Sequence, residues 1–119
     1  MNMPAEVAQA ADTLLTALRN TETFQTYEDL KQSVMADEVN RRLLDRFMRA
    51  QSALQMAAMA GSEPREEDTA EFEKLSALLY QSPEVTDYLL AQMRVQQLVA
   101  QTMSRITSEA GISVDIREA

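Results

Sequence analysis

The sequence contains neither cysteine nor histidine. The absence of both removes disulfide bonds, thiolate nucleophiles and cysteine-ligated iron–sulfur clusters, and it also removes the usual zinc ligands and the commonest general base. Glycine occurs only twice, so no glycine-rich loop is present that could hold a phosphate group. Serine and threonine are plentiful, but without histidine their hydroxyl groups have no evident base. We therefore expect a protein that is not an enzyme and that has no metal ion or other cofactor.

Residues typical of β-sheets and turns are scarce as well. The chain has three phenylalanines, three tyrosines, three prolines and no tryptophan, against many alanine, leucine, methionine, glutamine, glutamate and arginine residues that favour helices. We predict an all-α fold in which residues 1–119 form a single domain. Apolar periodicity predicts five helices at about residues 5–19, 22–35, 38–60, 65–81 and 83–110.

Two of these predicted helices, 38–60 and 83–110, are longer than an average globular helix. We expect these two helices to form a common spine that the three shorter helices cover. Because helices of such unequal length leave apolar ends uncovered, we also expect the chain to form a homodimer or a larger assembly.

Residues that begin and end helices lie at the predicted boundaries. Asp37 is expected to cap the start of the third helix, and Gly61 ends it. Ser82 is expected to be the N-cap residue of the fifth helix, and Gly111 ends it. After Gly111, residues 112–116 alternate between apolar and polar, but five residues cannot form a sheet alone. We expect residues 111–119 to be an extended C-terminal tail.

The charge of the chain is strongly acidic. The formal net charge is −8, from 19 acidic and 11 basic residues, which disfavours nonspecific binding to nucleic acid or to an anionic membrane. No apolar run approaches the roughly 20 residues that cross a bilayer, and the first residues lack the basic and apolar regions of a signal peptide. We expect a cytoplasmic protein that does not bind membranes.

The third predicted helix carries a basic stripe on this acidic chain. Arg42, Arg46 and Arg49 follow one another at four- and three-residue spacing, so they lie on one face. Such a stripe could bind an acidic partner surface, or it could bind the phosphates of a nucleic acid. The alternative is an ordinary solvated face, in which Glu38 with Arg42 and Asp45 with Arg49 form ion pairs.

Methionine is unusually frequent, with eight residues. Thioether side chains adapt to different partners, so six of them could form a soft docking face: Met35, Met48, Met56, Met59, Met93 and Met103. The alternative, which we favour, is that most of them fill the core. Met48 and Met93 lie just off the main apolar stripe of their helices, and we predict that Met48 belongs to a partner-binding surface with the three arginines.

The fifth helix has an apolar seam with a seven-residue repeat. Val85, Gln92, Val99 and Ile106 recur at this interval, and we predict that they form a seam between subunits. Gln92 is the polar member of the seam. It could fix the register of an assembly, or it could lie at the edge of the stripe and reach water.

Several segments together resemble a known family. They include "TETFQTYEDL" from Thr21 to Leu30, "ADEVNRRLLDRFMRAQSALQ" from Ala36 to Gln55, and "SPEVTDYLLAQMRVQQLVAQTMSRI" from Ser82 to Ile106. With the Ala60-Gly61 break, this order resembles the YlbF/YmcA family of small helical bacterial proteins, and in particular its short YheA-like members. The resemblance extends over nearly the whole chain.

This resemblance implies an all-helical cytoplasmic protein that assembles with itself or with relatives and acts through partners. Better-known relatives support competence, sporulation and biofilm development, in a complex linked to a ribonuclease and to mRNA processing. Those relatives carry cysteines implicated in iron–sulfur clusters, and this sequence has none. We therefore expect a non-enzymatic regulatory or adaptor protein whose protein partner is a family relative or a ribonuclease complex. The alternative function is binding of nucleic acid by Arg42, Arg46 and Arg49.

Overall fold

The computed structural model describes residues 2–112, and every regular element in that range is an α-helix. The helices are α1 Ala5–Arg19, α2 Glu22–Ala36, α3 Glu38–Met59, α4 Glu66–Tyr80 and α5 Pro83–Ala110. The prediction of an all-α fold with two long helices is confirmed. None of these five helices combines the length and the apolar character needed to cross a membrane.

Local capping signals mark the starts of α2 and α3 and the end of α3. The side-chain oxygen of Thr21 accepts a hydrogen bond from the backbone N–H of Phe24 at 3.2 Å, which caps α2. Oδ1 of Asp37 accepts from the backbone N–H of Asn40 at 3.0 Å, which caps α3 as predicted. Gly61 follows α3 with φ at +71°, a left-handed conformation that glycine adopts without strain.

The end of α5 includes the first two residues of the predicted tail. Gly111 has φ at +70°, and the backbone N–H of Ile112 donates to the carbonyl of Thr107 at 3.1 Å. These two residues therefore belong to the helix cap. Residues 113–119, the rest of the predicted extended tail, lie outside the described residues.

Ser82 lies at the N-cap position of α5, but its side chain does not cap the helix. Its hydroxyl donates instead to Oδ1 of Asn40 on α3 at 3.1 Å. Nδ2 of Asn40 in turn donates to Oε2 of Glu84 in the first turn of α5 at 3.4 Å. This small network links the start of α5 to the start of α3, a contact between residues far apart in the sequence.

The helices pack as two close pairs, α2 with α5 and α3 with α4. Contacts between α2 and α3 and between α4 and α5 join the pairs. The prediction that the two long helices form a common spine is therefore wrong, because each long helix pairs with a shorter one. Buried alanines, Ala50 on α3 and Ala91 on α5, are small enough to let the paired backbones approach closely.

The hydrophobic core lies where the two pairs meet. Its buried members are Val34, Leu44, Leu79, Val85 and Tyr88. Two aromatic contacts flank it: the rings of Tyr27 and Tyr88 stack with centroids 5.7 Å apart, and those of Phe47 and Phe72 stack at 5.4 Å. The core thus fixes α2, α3, α4 and the first half of α5 as one packed unit.

Two helical segments extend beyond this unit. No residue of α1 is buried, and no residue of α5 after Ala91 is buried. The radius of gyration is 18.0 Å, whereas a compact domain of this length has about 13.5 Å. A single chain therefore leaves the apolar faces of α1 and of the second half of α5 incompletely covered.

Candidate protein-binding site

A groove lies between α2, α3 and α5 on the surface of the packed unit. Its volume is about 390 Å³. Buried Leu44 and Tyr88 and half-buried Leu89 lie at its base, and the more exposed Met35 and Met48 line it. An apolar base with flexible methionine side chains can accommodate the apolar face of a partner helix.

The rim of this groove is polar and carries charges of both signs. Arg41, Arg42 and Asp45 come from α3, and half-buried Gln92 comes from α5. Within residues 2–112, Arg41 makes no ion pair, while Arg42 pairs with Glu38 at 2.7 Å. The groove therefore offers guanidinium groups beside an apolar base, on a chain that is acidic as a whole.

The three predicted arginines do not share one surface. Arg42 lies on the groove, whereas Arg46 and Arg49 line a separate hollow between α3 and α4. Arg46 pairs across the helices with Glu71 on α4 at 2.6 Å, and Arg49 pairs with Asp45 at 3.2 Å. Each arginine has a carboxylate partner, so the stripe is locally neutralised rather than an uncompensated surface for phosphates.

Met48 and Gln92, which the sequence placed in two different predicted surfaces, meet in the groove. Met48 reaches it from α3, and Gln92 reaches it from the middle of α5. Met35 and Arg41 also line it, but no sequence pattern grouped them with Gln92. Only the packing of α2 and α3 against α5 brings these residues together, and helical periodicity carries no information on that packing.

The methionines are exposed, so the expectation that most of them fill the core is wrong. The exposed fractions are 36% for Met35, 43% for Met48, 67% for Met56, 78% for Met59, 53% for Met93 and 42% for Met103. They lie on parts of α2, α3 and α5 that no neighbouring helix covers. Exposed thioether side chains at this frequency are typical of surfaces that bind protein partners.

The structure divides the predicted seam of α5 into two parts. Val85 is fully buried within the chain, and Gln92 is half-buried at the groove. Val99 and Ile106 remain 37% and 46% exposed. The first part of the repeat therefore packs inside the chain, and only the second part is accessible to another molecule.

Tyr88 connects the groove to the core. Its side chain is only 5% exposed, and burial raises the pKa of its hydroxyl to about 12, with smaller contributions from Tyr27 and Glu28. The hydroxyl is therefore neutral at physiological pH. Its ring stacks on Tyr27, and Nζ of Lys31 lies 5.9 Å from the centroid of the Tyr27 ring.

Within residues 2–112, no group of acidic side chains has the arrangement of a metal site. The polar atoms of the groove belong to guanidinium, carboxylate, amide and phenol groups on its rim and base. This arrangement suits recognition of a protein surface.

Comparison with known sequences places this chain among small bacterial proteins. Residues 7–109 match the family model described as "Control of competence regulator ComK, YlbF/YmcA". The protein YheA of Bacillus subtilis is 32% identical over 85 residues, which cover 71% of this chain and 73% of YheA. A UPF0342 protein of Bacillus pumilus is 31% identical over 99 residues, covering 83% of this chain and 84% of that protein.

Comparison with solved structures shows the same fold in two of them. A DUF964 protein of unknown function from Bacillus stearothermophilus superimposes with a TM-score of 0.75 at 19% identity, covering 89% of this chain and 93% of that one. Bacillus subtilis RicA, solved in complex with RicF, gives a TM-score of 0.65 at 15% identity, covering 92% and 96%. At such identities the likeness concerns the fold alone.

Proposed function

Because the chain belongs to the YlbF/YmcA family, we propose that it is a non-enzymatic regulatory or adaptor protein that acts in the cytoplasm by binding other proteins. The observation that supports this proposal is the groove between α2, α3 and α5. It combines an apolar base with exposed Met48 and with the guanidinium groups of Arg41 and Arg42. These are the side chains that protein interfaces favour.

The occupant that suits the groove is an amphipathic helix with acidic residues beside its apolar face. The apolar face would pack on Leu44, Leu89 and Met48, and the acidic residues would pair with Arg41 and Arg42. Arg46 and Arg49 lie on the α4 side and already have carboxylate partners, so we assign them no direct part in this contact.

The family supports a proposal for the biological setting of this activity. Its description names control of a competence regulator, and its relative RicA is found in complex with RicF. We propose that the partner is a family relative or a component of a ribonuclease complex, and that the protein takes part in RNA turnover or in developmental control. We also propose that the chain associates with itself.

A capture experiment tests the adaptor function. The tagged protein and its Met48→Asp variant are incubated with lysate of the native host, and the retained proteins are identified by mass spectrometry. Because an aspartate in the groove introduces a charge onto an apolar surface, Met48→Asp is expected to lose the partners that the original protein retains. The matched control is Met59→Asp, which introduces the same charge on the same helix at a 78% exposed position outside the groove.

The result is read from the two variants together. Both must keep the helical content of the original protein by circular dichroism. Loss of partners from Met48→Asp but not from Met59→Asp supports the groove as the binding site. Equal capture by the original protein and Met48→Asp contradicts it.

The nucleic-acid alternative is tested by titration with single- and double-stranded RNA at low salt. The chain carries a net charge of −8, and its three stripe arginines are paired with carboxylates. We expect no binding. Arginines that already pair with carboxylates can contact few phosphates, so binding would release few counterions from the RNA. Binding that weakens steeply with salt and disappears on reversal of Arg42, Arg46 and Arg49 to glutamate would establish the alternative instead.

A further inference from the structure

Two exposed apolar faces of the chain lie outside the packed unit. One is the α1 face, with Val7 52% exposed and Leu15 41% exposed. The other, the distal α5 face, comprises the apolar side chains of residues 95–108, including Val99, Met103 and Ile106 at 37% to 46% exposure. Neither segment contains a buried residue. Both segments therefore have an apolar face that the chain itself covers only in part.

Both segments are also depleted of charge. Charged residues make up 25% of the sequence, yet residues 7–18 contain only Asp12 and residues 95–108 contain only Arg105. Solvent-facing helices normally carry charged residues on every turn or two, whereas the centres of protein interfaces lack them. This depletion distinguishes the two faces from an ordinary solvated surface.

The chain exposes more surface than a compact monomer of its mass, and this excess has the size of the area that an obligate interface buries. The accessible surface is 9264 Å². A folded monomer of 13.4 kDa exposes roughly 6,500 Å², so the excess is roughly 2,800 Å². The eight residues outside the described range account for roughly 1,300 Å² of it at most, even if fully exposed. The excess surface that remains, summed over two chains, lies within the roughly 2,000–5,000 Å² that the interfaces of obligate dimers bury.

The charge of the chain and the matching lengths of the two faces indicate that a second copy of this chain covers them. Two copies at −8 each repel one another, so they can approach closely only through surfaces that carry almost no charge. The α1 helix has 15 residues, which is about 22 Å, and residues 95–110 extend over about 24 Å. Within residues 7–18 and 95–108 the single charges, Asp12 and Arg105, are of opposite sign, and Arg105 pairs with Glu109 of its own helix at 3.4 Å.

We propose that two copies associate through a four-helix bundle made of α1 and the distal half of α5 from each chain. In this bundle α1 of one copy packs on the distal α5 face of its partner, and the two-fold symmetry repeats the contact. The proposal deepens the self-association stated under the proposed function and rests on it. It assigns Val99 and Ile106, the accessible part of the predicted seam, to the subunit interface.

The first test is the mass of the full chain in solution by light scattering. The expected mass at about 50 µM is twice the 13.4 kDa of one chain. Replacing Val99 and Ile106 together by aspartate is expected to raise the dissociation constant of the dimer about a hundredfold, because two charges would enter its apolar centre. A single-chain mass for the unaltered protein would overturn the proposal.

The matched control carries aspartate at two exposed apolar positions outside both faces, Val39→Asp with Met59→Asp. This variant is expected to remain a dimer. Because Val99 and Ile106 are 37% and 46% exposed in the single chain, their replacement leaves the core intact, and circular dichroism should show unchanged helical content. Equal dissociation of the two double variants would mean that added charge alone separates the copies.

The second test determines which helices meet, and the lack of cysteine in the chain makes it direct. Variants with one cysteine at Val7 or Leu15 of α1 are mixed with differently tagged variants with one cysteine at Val99, Met103 or Ile106 of α5. Mixed disulfide-linked dimers are expected for at least one pair of positions. The control cysteine at Tyr80, 82% exposed on α4, should give none.

The outcomes of these tests distinguish the proposed dimer from the proposed partner-binding site in the groove. Cross-links between identical α5 positions alone, or a dimer with no mixed cross-link, would overturn the pairing of α1 with the partner's α5. The Met48→Asp variant should lose its captured partners and keep the mass of two chains. The variant with aspartate at Val99 and Ile106 should lose the mass of two chains, so failure of one proposal leaves the other measurable.

Discussion

The rings of Tyr27 and Tyr88 stack with their centroids 5.7 Å apart and their planes 19° from parallel. Tyr27 lies on α2 and Tyr88 on α5, so this contact lies within the closest helix pair of the fold. The buried ring of Tyr88 is also part of the base of the groove. One side chain therefore links the stability of the core to the shape of the proposed binding site.

Replacement of Tyr88 by phenylalanine should flatten the alkaline pH dependence of stability. The pKa of Tyr88 is about 12 in the folded protein, against 10 in the unfolded chain, so the folded state holds its proton more tightly. The free energy of unfolding should fall by about 2 kcal/mol from this group as the pH rises from 10 to 12. Urea unfolding at several pH values measures the difference between the two proteins.

The control for this measurement is Tyr80→Phe, because the side chain of Tyr80 is 82% exposed. This variant should keep the pH dependence of the original protein, because it leaves the buried hydroxyl of Tyr88 in place. If Tyr88→Phe and the original protein lose stability equally between pH 10 and 12, the hydroxyl of Tyr88 titrates in water and is not buried.

Replacement of Leu75 by alanine should strongly destabilise the fold. Leu75 on α4 is completely buried, so its removal leaves a cavity and should lower the free energy of unfolding by about 2–5 kcal/mol. Leu78→Ala is the matched control on the same helix: its side chain is 37% exposed, and the loss should stay near 1 kcal/mol. Equal losses in chemical denaturation would show that Leu75 is packed no more deeply than Leu78.

Much of the secondary structure could be predicted from the sequence because its signals are local. Asp37 caps α3 through the N–H of Asn40, and Gly61 and Gly111 end α3 and α5 in the left-handed conformation. Each signal acts within a few residues of its own position. The five helices consequently begin and end within about one residue of the predicted boundaries.

The packing could not be predicted in the same way. The seven-residue repeat of α5 runs from Val85 to Ile106 with Gln92 as its one polar member, yet Val85 is buried and Ile106 is 46% exposed. A repeat shows which face is apolar, but it does not show how far a neighbouring helix covers that face. The prediction that most methionines fill the core was wrong for the same reason. Helical periodicity does not distinguish positions that a neighbouring helix covers from positions that it leaves exposed.

Prediction of the groove would also have required knowledge of contacts between residues far apart in the sequence. Arg42 and Met48 belong to one helix, so their proximity follows from helical spacing. Gln92 reaches the same groove from α5, and Arg46 finds Glu71 on α4. Both contacts depend on how helices distant in the sequence pack, and the expected spine of α3 and α5 did not specify the α3–α4 pair that brings Arg46 to Glu71.

Ser82 and Asn40 should show a coupling free energy of about 1 kcal/mol in a double-mutant cycle of Ser82→Ala and Asn40→Ala. Their side chains are partly buried, and the hydroxyl of Ser82 donates to Oδ1 of Asn40 at 3.1 Å. If Ser82 acted only as a local cap of α5, the two losses in unfolding free energy would simply add. Thr21→Ala, at the start of α2, provides the additive control with Ser82→Ala.

Arg46 and Glu71 should contribute little to stability and nothing to partner capture. Their charged groups lie 2.6 Å apart, but the side chains are 53% and 42% exposed, so a double-mutant cycle with alanine should give a coupling below about 1 kcal/mol. The coupling should shrink further in 1 M salt, since mobile ions screen exposed pairs.

Because this pair lies on the α4 side of α3, Arg46→Glu should capture the same partners as the original protein, whereas Arg42→Glu at the groove should not. Loss of capture by Arg46→Glu, restored when Glu71→Arg is added, would show instead that the ion pair itself shapes the binding surface.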